Sequence, residues 1–253
     1  MKNAARSLSP LFLVLLLWGC VSNPERARSG IQEGYAGFVP ARIAVFDCMP
    51  WPSVAAFKDL PLSNLNAEQM QQFCKALNDY VIAGFEDQPF MHGISPKVVD
   101  ELLAAKSGVS FSTQIEKAWA RSSDACDKCE TPVDYYRQSI LKRPNWTLLL
   151  SDLSDTLAHA DAVLLPMIAY AKTNHYVDRG LDVSEIRAGI VLMLINTSNG
   201  ELIWASQRDA LADKKRLVSD QTQGKEEPSL DVLLSRLLTD EMWREFPGKQ
   251  FLK

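Results

Sequence analysis

The run "RAGIVLMLINTSNGELIWAS", residues 187 to 206, constrains the fold more than any other stretch of the chain. Ile190 to Ile195 are all apolar and mostly of strand-forming types, so both faces of the strand they build are apolar. A strand with one polar face needs one covering layer; this one needs two. Asn196 to Gly200 separates it from a second β-rich run, and the Asn-Gly pair supplies the positive φ of a tight turn. The two runs read as a hairpin in a sheet covered by helices on both sides.

The other elements agree with that requirement. "ARIAVFDC", from Ala41, reads as a buried central strand, with Ile43 and Val45 on one face and Ala44, Phe46 and Cys48 on the other. Pro50 and Pro52 end it. "DAVLLPMIAYAKT" reads as a second buried strand and "FMHGIS" as a short one. A helix starts behind the capping pair Asn66 and Gln69, with Met70, Phe73, Leu77, Val81 and Phe85 at helical spacing. Further helices follow Ser95-Pro96 and lie in "STQIEKAWARSS", "VDYYRQSILKRP" and "TLLLSDLSDTLAHA". Leu230, Leu233, Leu234, Leu237 and Leu238 form the stripe of a closing helix. Residues 208–228 are polar and charged and read as a mobile loop. No repeat of 20–50 residues is present. The order implies an α/β fold, a mixed β-sheet with helices packed on it, in one domain spanning 40–248 before a tail at 249–253.

The N-terminus speaks to location. Lys2 and Arg6 precede a short apolar segment, Leu11 to Trp18, which reads as a signal peptide over residues 1–19. A membrane span needs roughly 20 apolar residues. Leu17-Trp18-Gly19-Cys20 resembles the lipobox of bacterial lipoproteins, with Trp18 where a small residue is usual. The resemblance implies acylation of Cys20, and several acyl chains together anchor a protein stably. Val21, not Asp, follows Cys20, and by resemblance to enterobacterial lipoprotein sorting this implies an outer-membrane anchor facing the periplasm. Residues 20–39 lack periodicity and read as a flexible tether with an end-to-end distance on the order of 25 Å.

Composition narrows the partners. Loss of residues 1–19 removes Lys2 and Arg6, leaving 25 basic residues of 27 against 31 acidic ones, a net charge of −6. That balance argues against a nucleic-acid partner. Cys48, Cys74, Cys126 and Cys129 remain besides Cys20, an even number in an exported chain, which fits disulfides. Three pairings are open; Cys48–Cys74 with Cys126–Cys129 is preferred. Cys126-Asp-Lys-Cys129 also has the spacing of a redox pair, but Asp124, Asp127 and Glu130 oppose a thiolate there, and a zinc site would want a second ligand pair.

No P-loop, GxGxxG, GxSxG or HExxH motif occurs, and His92, His159 and His175 have no neighbour at metal or triad spacing, so no cofactor, metal or catalytic residue is expected. Asn174, His175, Asp178, Arg179 and Asp182 form a polar loop after a buried strand, a place where α/β proteins bind ligands, and are candidate partner-binding residues. Trp51, Trp243 and Phe246 are candidates for an exposed aromatic contact, with core packing the leading role for most of them.

"LSDTLAHADAVLLPMIAYA" followed by "VLMLINTSNGELIWAS" resembles a group of envelope lipoproteins that includes the curli-secretion lipoproteins and the penicillin-binding-protein activators. The resemblance implies an anticodon-binding-like α/β domain, also like the amino-terminal domain of the Tol-Pal periplasmic protein, and a binding or assembly role without catalysis. The doubly apolar hairpin departs from the alternating strands of a membrane pore. The expectation is a non-catalytic, lipid-anchored envelope protein that binds another envelope component. The alternatives are a periplasmic thiol-disulfide oxidoreductase using Cys126 and Cys129, and a structural homo-oligomer.

Overall fold

Three long strands carry the architecture, and the remaining elements are arranged around them. The computed structural model of the chain describes residues 28–50, 65–86, 88–109, 111–119, 129, 131–156, 159–218 and 228–249. In chain order the elements are β1 (Arg28–Ile31), β2 (Arg42–Val45), β3 (Met49–Pro50), α1 (Ala67–Glu86), β4 (His92–Ile94), α2 (Pro96–Ser107), α3 (Phe111–Trp119), α4 (Pro132–Gln138), α5 (Pro144–Thr156), β5 (Ala162–Asp178), β6 (Leu181–Asn196), β7 (Leu202–Leu217) and α6 (Leu230–Leu237). Short 3-10 turns cover Ile140–Lys142 and Asp240–Trp243.

The strands form one mixed sheet in the order β1-β7-β6-β5-β2-β4, with β3 also on β5. The pairs β1–β7, β7–β6 and β6–β5 are antiparallel; β2 and β3 run parallel to β5, and β4 parallel to β2. Parallel strands need crossovers, and right-handed crossovers made in opposite directions across a sheet fall on opposite faces. β2 reaches β4 through α1, and β4 returns to β5 through α2–α5. The helices divide accordingly. Phe73, Leu77, Val81 and Phe85 of α1 and Leu233, Leu234 and Leu237 of α6 cover one face. Leu103 of α2, Trp119 of α3, Tyr136 of α4 and Trp146, Leu150 and Leu153 of α5 cover the other. Ile190 to Ile195 are fully buried, as a strand apolar on both faces requires.

Local chemistry sets the register. The Asp161 carboxylate accepts hydrogen bonds from the backbone N–H groups of Ala41 (2.8 Å) and Arg42 (3.0 Å), and this fixes β2 against β5 at Ile43 opposite Ala162. Asn66 and Gln69 form the expected capping box at α1: Asn66 Oδ1 accepts from Gln69 N at 2.8 Å and Gln69 Oε1 from Asn66 N at 3.1 Å. In the β6–β7 connection only Gly200 has positive φ, at 73°. The side-chain oxygens of Asn196 and Asn199 accept from Ser198 N and Glu201 N instead, so the two asparagines act as turn-formers by hydrogen bonding.

Three expectations are corrected. Residues 28–31 of the segment read as tether are β1, paired with β7 through Ile31 opposite Trp204. Residues 208–217 of the expected loop continue β7, because β6 offers them an unbroken ladder of partners; residues 219–227 lie outside the described residues. Cys48 packs with Ile43 and Val45 and not with Ala44 and Phe46, because β2 ends at Val45 and its alternation ends with it. Trp243 and Phe246 are 1% and 3% exposed and belong to the core, the leading role expected for them.

The C-terminal segment is fastened to the sheet by aromatic packing and one buried charge. Trp243 stacks 6.3 Å from Trp204 with planes 3° apart, and Phe246 meets Trp204 edge-on at 4.8 Å. Arg208 on β7, 8% exposed, donates to the Arg236 carbonyl at 2.7 Å and to Glu241 Oε2 at 2.6 Å. A buried guanidinium needs such partners, and here they tie α6 and the turn behind it to the sheet.

Candidate partner-binding surface

Two surfaces stand out: a groove beside α1 and the far end of the β5-β6-β7 ribbon. The groove encloses about 1060 Å³ between the outer face of α1 and the first turn of α2. Glu68, Gln72, Lys75, Asp79, Ile82 and Glu86 line it from α1 at alternating spacings of four and three, which places them on one helical stripe. Asp47, Cys74, Asn78, Ser95, Lys97 and Asp100 complete the wall. Five carboxylates against two lysines leave it acidic.

The wall at Asp47 is fixed by local bonding. Asn78 Nδ2 donates to Asp47 Oδ1 at 2.5 Å, and the Cys48 N–H donates to Asn78 Oδ1 at 3.1 Å. Cys48 and Cys74 form a disulfide, Cα to Cα 5.1 Å, joining the β2–β3 connection to the middle of α1. Lys75 pairs with Asp79 at 3.0 Å across one turn of the helix. The groove's carboxylates are exposed to solvent. Sequence reading missed the groove, although the stripe Glu68–Glu86 is legible in α1. What α1 alone did not show was that α2 would form the opposite wall.

The residues expected in a polar loop are in strands. Asn174, His175 and Asp178 belong to β5 and Asp182 to β6, and Arg179 with Gly180 makes the two-residue turn between them, with φ of 48° and 79°. Both φ values are positive, as a type I′ hairpin requires. The pleat separates the candidates: His175 faces Ser184, with Nδ1 2.9 Å from its Oγ, while Asn174 lies opposite Glu185 on the other face. These five residues therefore do not converge on one site. Trp51, Cys126 and Cys20 lie outside the described residues. Cys129 is disulfide-bonded and 2% exposed, in the core with Trp119 and Tyr135. Its partner lies outside the described residues. A buried sulfur offers poor access for thiol–disulfide exchange. Among the described residues no group of three or more His, Cys, Asp or Glu is placed to hold a metal ion, and no helix is long and apolar enough to cross a membrane.

Burial shapes the tyrosines. Desolvation pushes Tyr80 up to about 12, and it does the same to Tyr170, where the Asp209 carboxylate adds to it. Tyr136, which accepts from Trp146 Nε1 at 3.0 Å and donates to the Gly200 carbonyl, is also raised, again by burial. A phenol raised in the folded state contributes stability that is complete below its unfolded value near 10 and is lost as pH climbs toward 12. Alkaline titration is therefore expected to unfold the protein in that window, with Tyr80, Tyr136 and Tyr170 forming tyrosinate during unfolding. Tyr170→Phe should raise the unfolding midpoint, as followed by circular dichroism against tyrosinate absorbance.

No protein-family model matches the chain, and no curated protein matches it. Solved structures similar to it include the lipoprotein GNA1162 from Neisseria meningitidis, 14% identical, covering 73% of this chain and 89% of that one, with a TM-score of 0.37. The PelC dodecamer from Paraburkholderia phytofirmans is 11% identical over 88% of this chain and 98% of that one, with a TM-score of 0.35. The hypothetical protein CT253 from Chlamydia trachomatis is 11% identical over 83% and 98%, with a TM-score of 0.37. Likenesses of this strength assign neither a family nor a function to the chain.

Proposed function

We propose that this is a lipid-anchored, non-catalytic protein of the bacterial envelope, held at the outer membrane through Cys20, that binds a basic segment of another envelope protein in the groove beside α1. The observation that carries the binding reading is the acidic stripe of α1 facing α2 across a cleft large enough for an extended peptide. The disulfide and the Asp47–Asn78 pair keep the cleft in place without a partner, which reduces the ordering cost of binding. Like charges across an interface cost several kcal/mol, so charge sets partner choice here.

The test is a photo-crosslinking residue at position 82 in living cells. A specific adduct is expected there and not at position 148, an exposed site on α5. Glu68→Lys combined with Asp79→Lys should reduce the adduct about ten-fold or more. Equal labelling at the two positions, or an adduct indifferent to the charge reversal, would count against the groove.

A further inference from the structure

The β5-β6-β7 ribbon continues past the body of the sheet with no use in the reading above. Among the described residues β3 last pairs with β5 at Ile168, and β1 last pairs with β7 at Gln207. Beyond those residues the ribbon runs on to the Arg179–Gly180 turn. Its tip displays apolar side chains to solvent: Tyr176 is 46%, Val177 66% and Leu217 57% exposed. Leu181 lies directly opposite Leu217 on one face, and Val177 stands on the other. Residues 172–187 and 211–217 hold six basic and four acidic residues, a charge of +2 on a mature chain of net −6. An apolar, aromatic and basic tip is thus set on an acidic body.

The residues ahead of β1 bear on what lies near that tip. β1 is antiparallel to β7, with Ile31 opposite Trp204 and Arg28 opposite Gln207, so β1 is entered from the end that faces the ribbon tip. Cys20 stands eight residues before Arg28, a reach of at most ~28 Å. From the level of Gln207 to Leu217 the ribbon extends about 34 Å at strand rise. The tip therefore projects to, or a few ångströms past, the farthest level the acylated cysteine reaches along it.

We propose that the ribbon tip contacts the membrane that holds the lipid anchor, with Tyr176, Val177, Leu181 and Leu217 entering the headgroup region and the neighbouring Arg179 facing anionic phosphates. This rests on the acylation of Cys20 proposed above. The contact is shallow. His175, Asn174 and Lys172 come next along β5 toward the body of the sheet, and polar side chains are costly in hydrocarbon. Tyrosine at the interface and basic residues among phosphates are the side chains such a layer accepts. Two attachments, the acyl chains and the tip, fix the orientation of the body, with the β6–β7 turn directed away from the lipid.

The test uses the full acylated chain in vesicles of phosphatidylethanolamine and phosphatidylglycerol whose acyl chains carry a quencher. A fluorophore is placed through Val177→Cys, and separately through Leu148→Cys on α5, which packs near the Gly200 turn. Quenching of about two-fold is expected at position 177, the depth of a group at the headgroup–acyl boundary, and none at position 148. Leu217→Asp should abolish the quenching at 177. Vesicle flotation and the mass of the N-terminal peptide separate the two readings. An acylated, floating protein unquenched at 177 overturns the tip contact and leaves the anchor intact. A chain without acyl groups overturns both. Shielding of position 177 that grows with protein concentration in the absence of vesicles shows a contact between copies and also overturns the proposal.

Discussion

Trp243→Ala is expected to destabilise the protein by about 3–5 kcal/mol, a large share of the 5–15 kcal/mol that a domain of this kind possesses. Trp243 is 1% exposed at the centre of an aromatic group in which Trp204, Phe85, Phe246 and Tyr80 have ring centroids within 6.3 Å of its own. Lys249 Nζ sits 4.5 Å from the ring centroid, and burial there lowers the lysine pKa. Removing the indole empties a space bounded by α1, the sheet and the C-terminal turn, three elements that cannot collapse together without breaking other contacts.

A second substitution shows that the vacated space is the cause. An added Cβ at Gly84 would lie 2.7 Å from Trp243 Cζ2, so Gly84→Ala forces the indole aside and destabilises the wild type. In the Trp243→Ala background that obstruction is gone, and alanine in a helix is worth about 1 kcal/mol over glycine. Gly84→Ala should then stabilise. A urea-denaturation cycle reads this sign reversal as a coupling energy, and equal effects of Gly84→Ala in both backgrounds would refute the packing account.

Removal of the Cys48–Cys74 disulfide, by Cys48→Ser with Cys74→Ser, is the second large effect. Its sequence separation is 26 residues, and loop-closure entropy for that length corresponds to about 3.5 kcal/mol at room temperature. The loss should appear as a lower urea midpoint for the double variant than for the oxidised wild type, and the two midpoints should converge when both proteins are measured in reductant. The bridge also positions the groove, since Cys74 lines it and the Cys48 N–H holds Asn78. Crosslinking from position 82 should therefore weaken in the double variant under conditions where circular dichroism shows it folded. Full retention of the adduct would show that the groove does not depend on the bridge.

The sequence determined the elements whose packing is written in their own periodicity. Ile190 to Ile195, Phe73 to Phe85 on α1 and the leucine stripe of α6 carry enough apolar surface at the right spacing to be buried in almost any arrangement, and from them the mixed α/β sheet followed. Cys48–Cys74 was legible as the preferred pairing because a strand end and the neighbouring helix were expected to pack.

Tertiary structure decided the rest. Asn174 to Asp178 and Arg208 to Leu217 are largely polar and resemble loops; they are strands because β6 stands between them and hydrogen-bonds to both. That pairing then split Asn174 from His175 by the pleat and dissolved the loop site. The acidic groove likewise needed α2 brought against α1. Burial of apolar side chains is a property of each segment, whereas strand pairing and a cleft are properties of two segments at once, and their partners lie far apart along the chain.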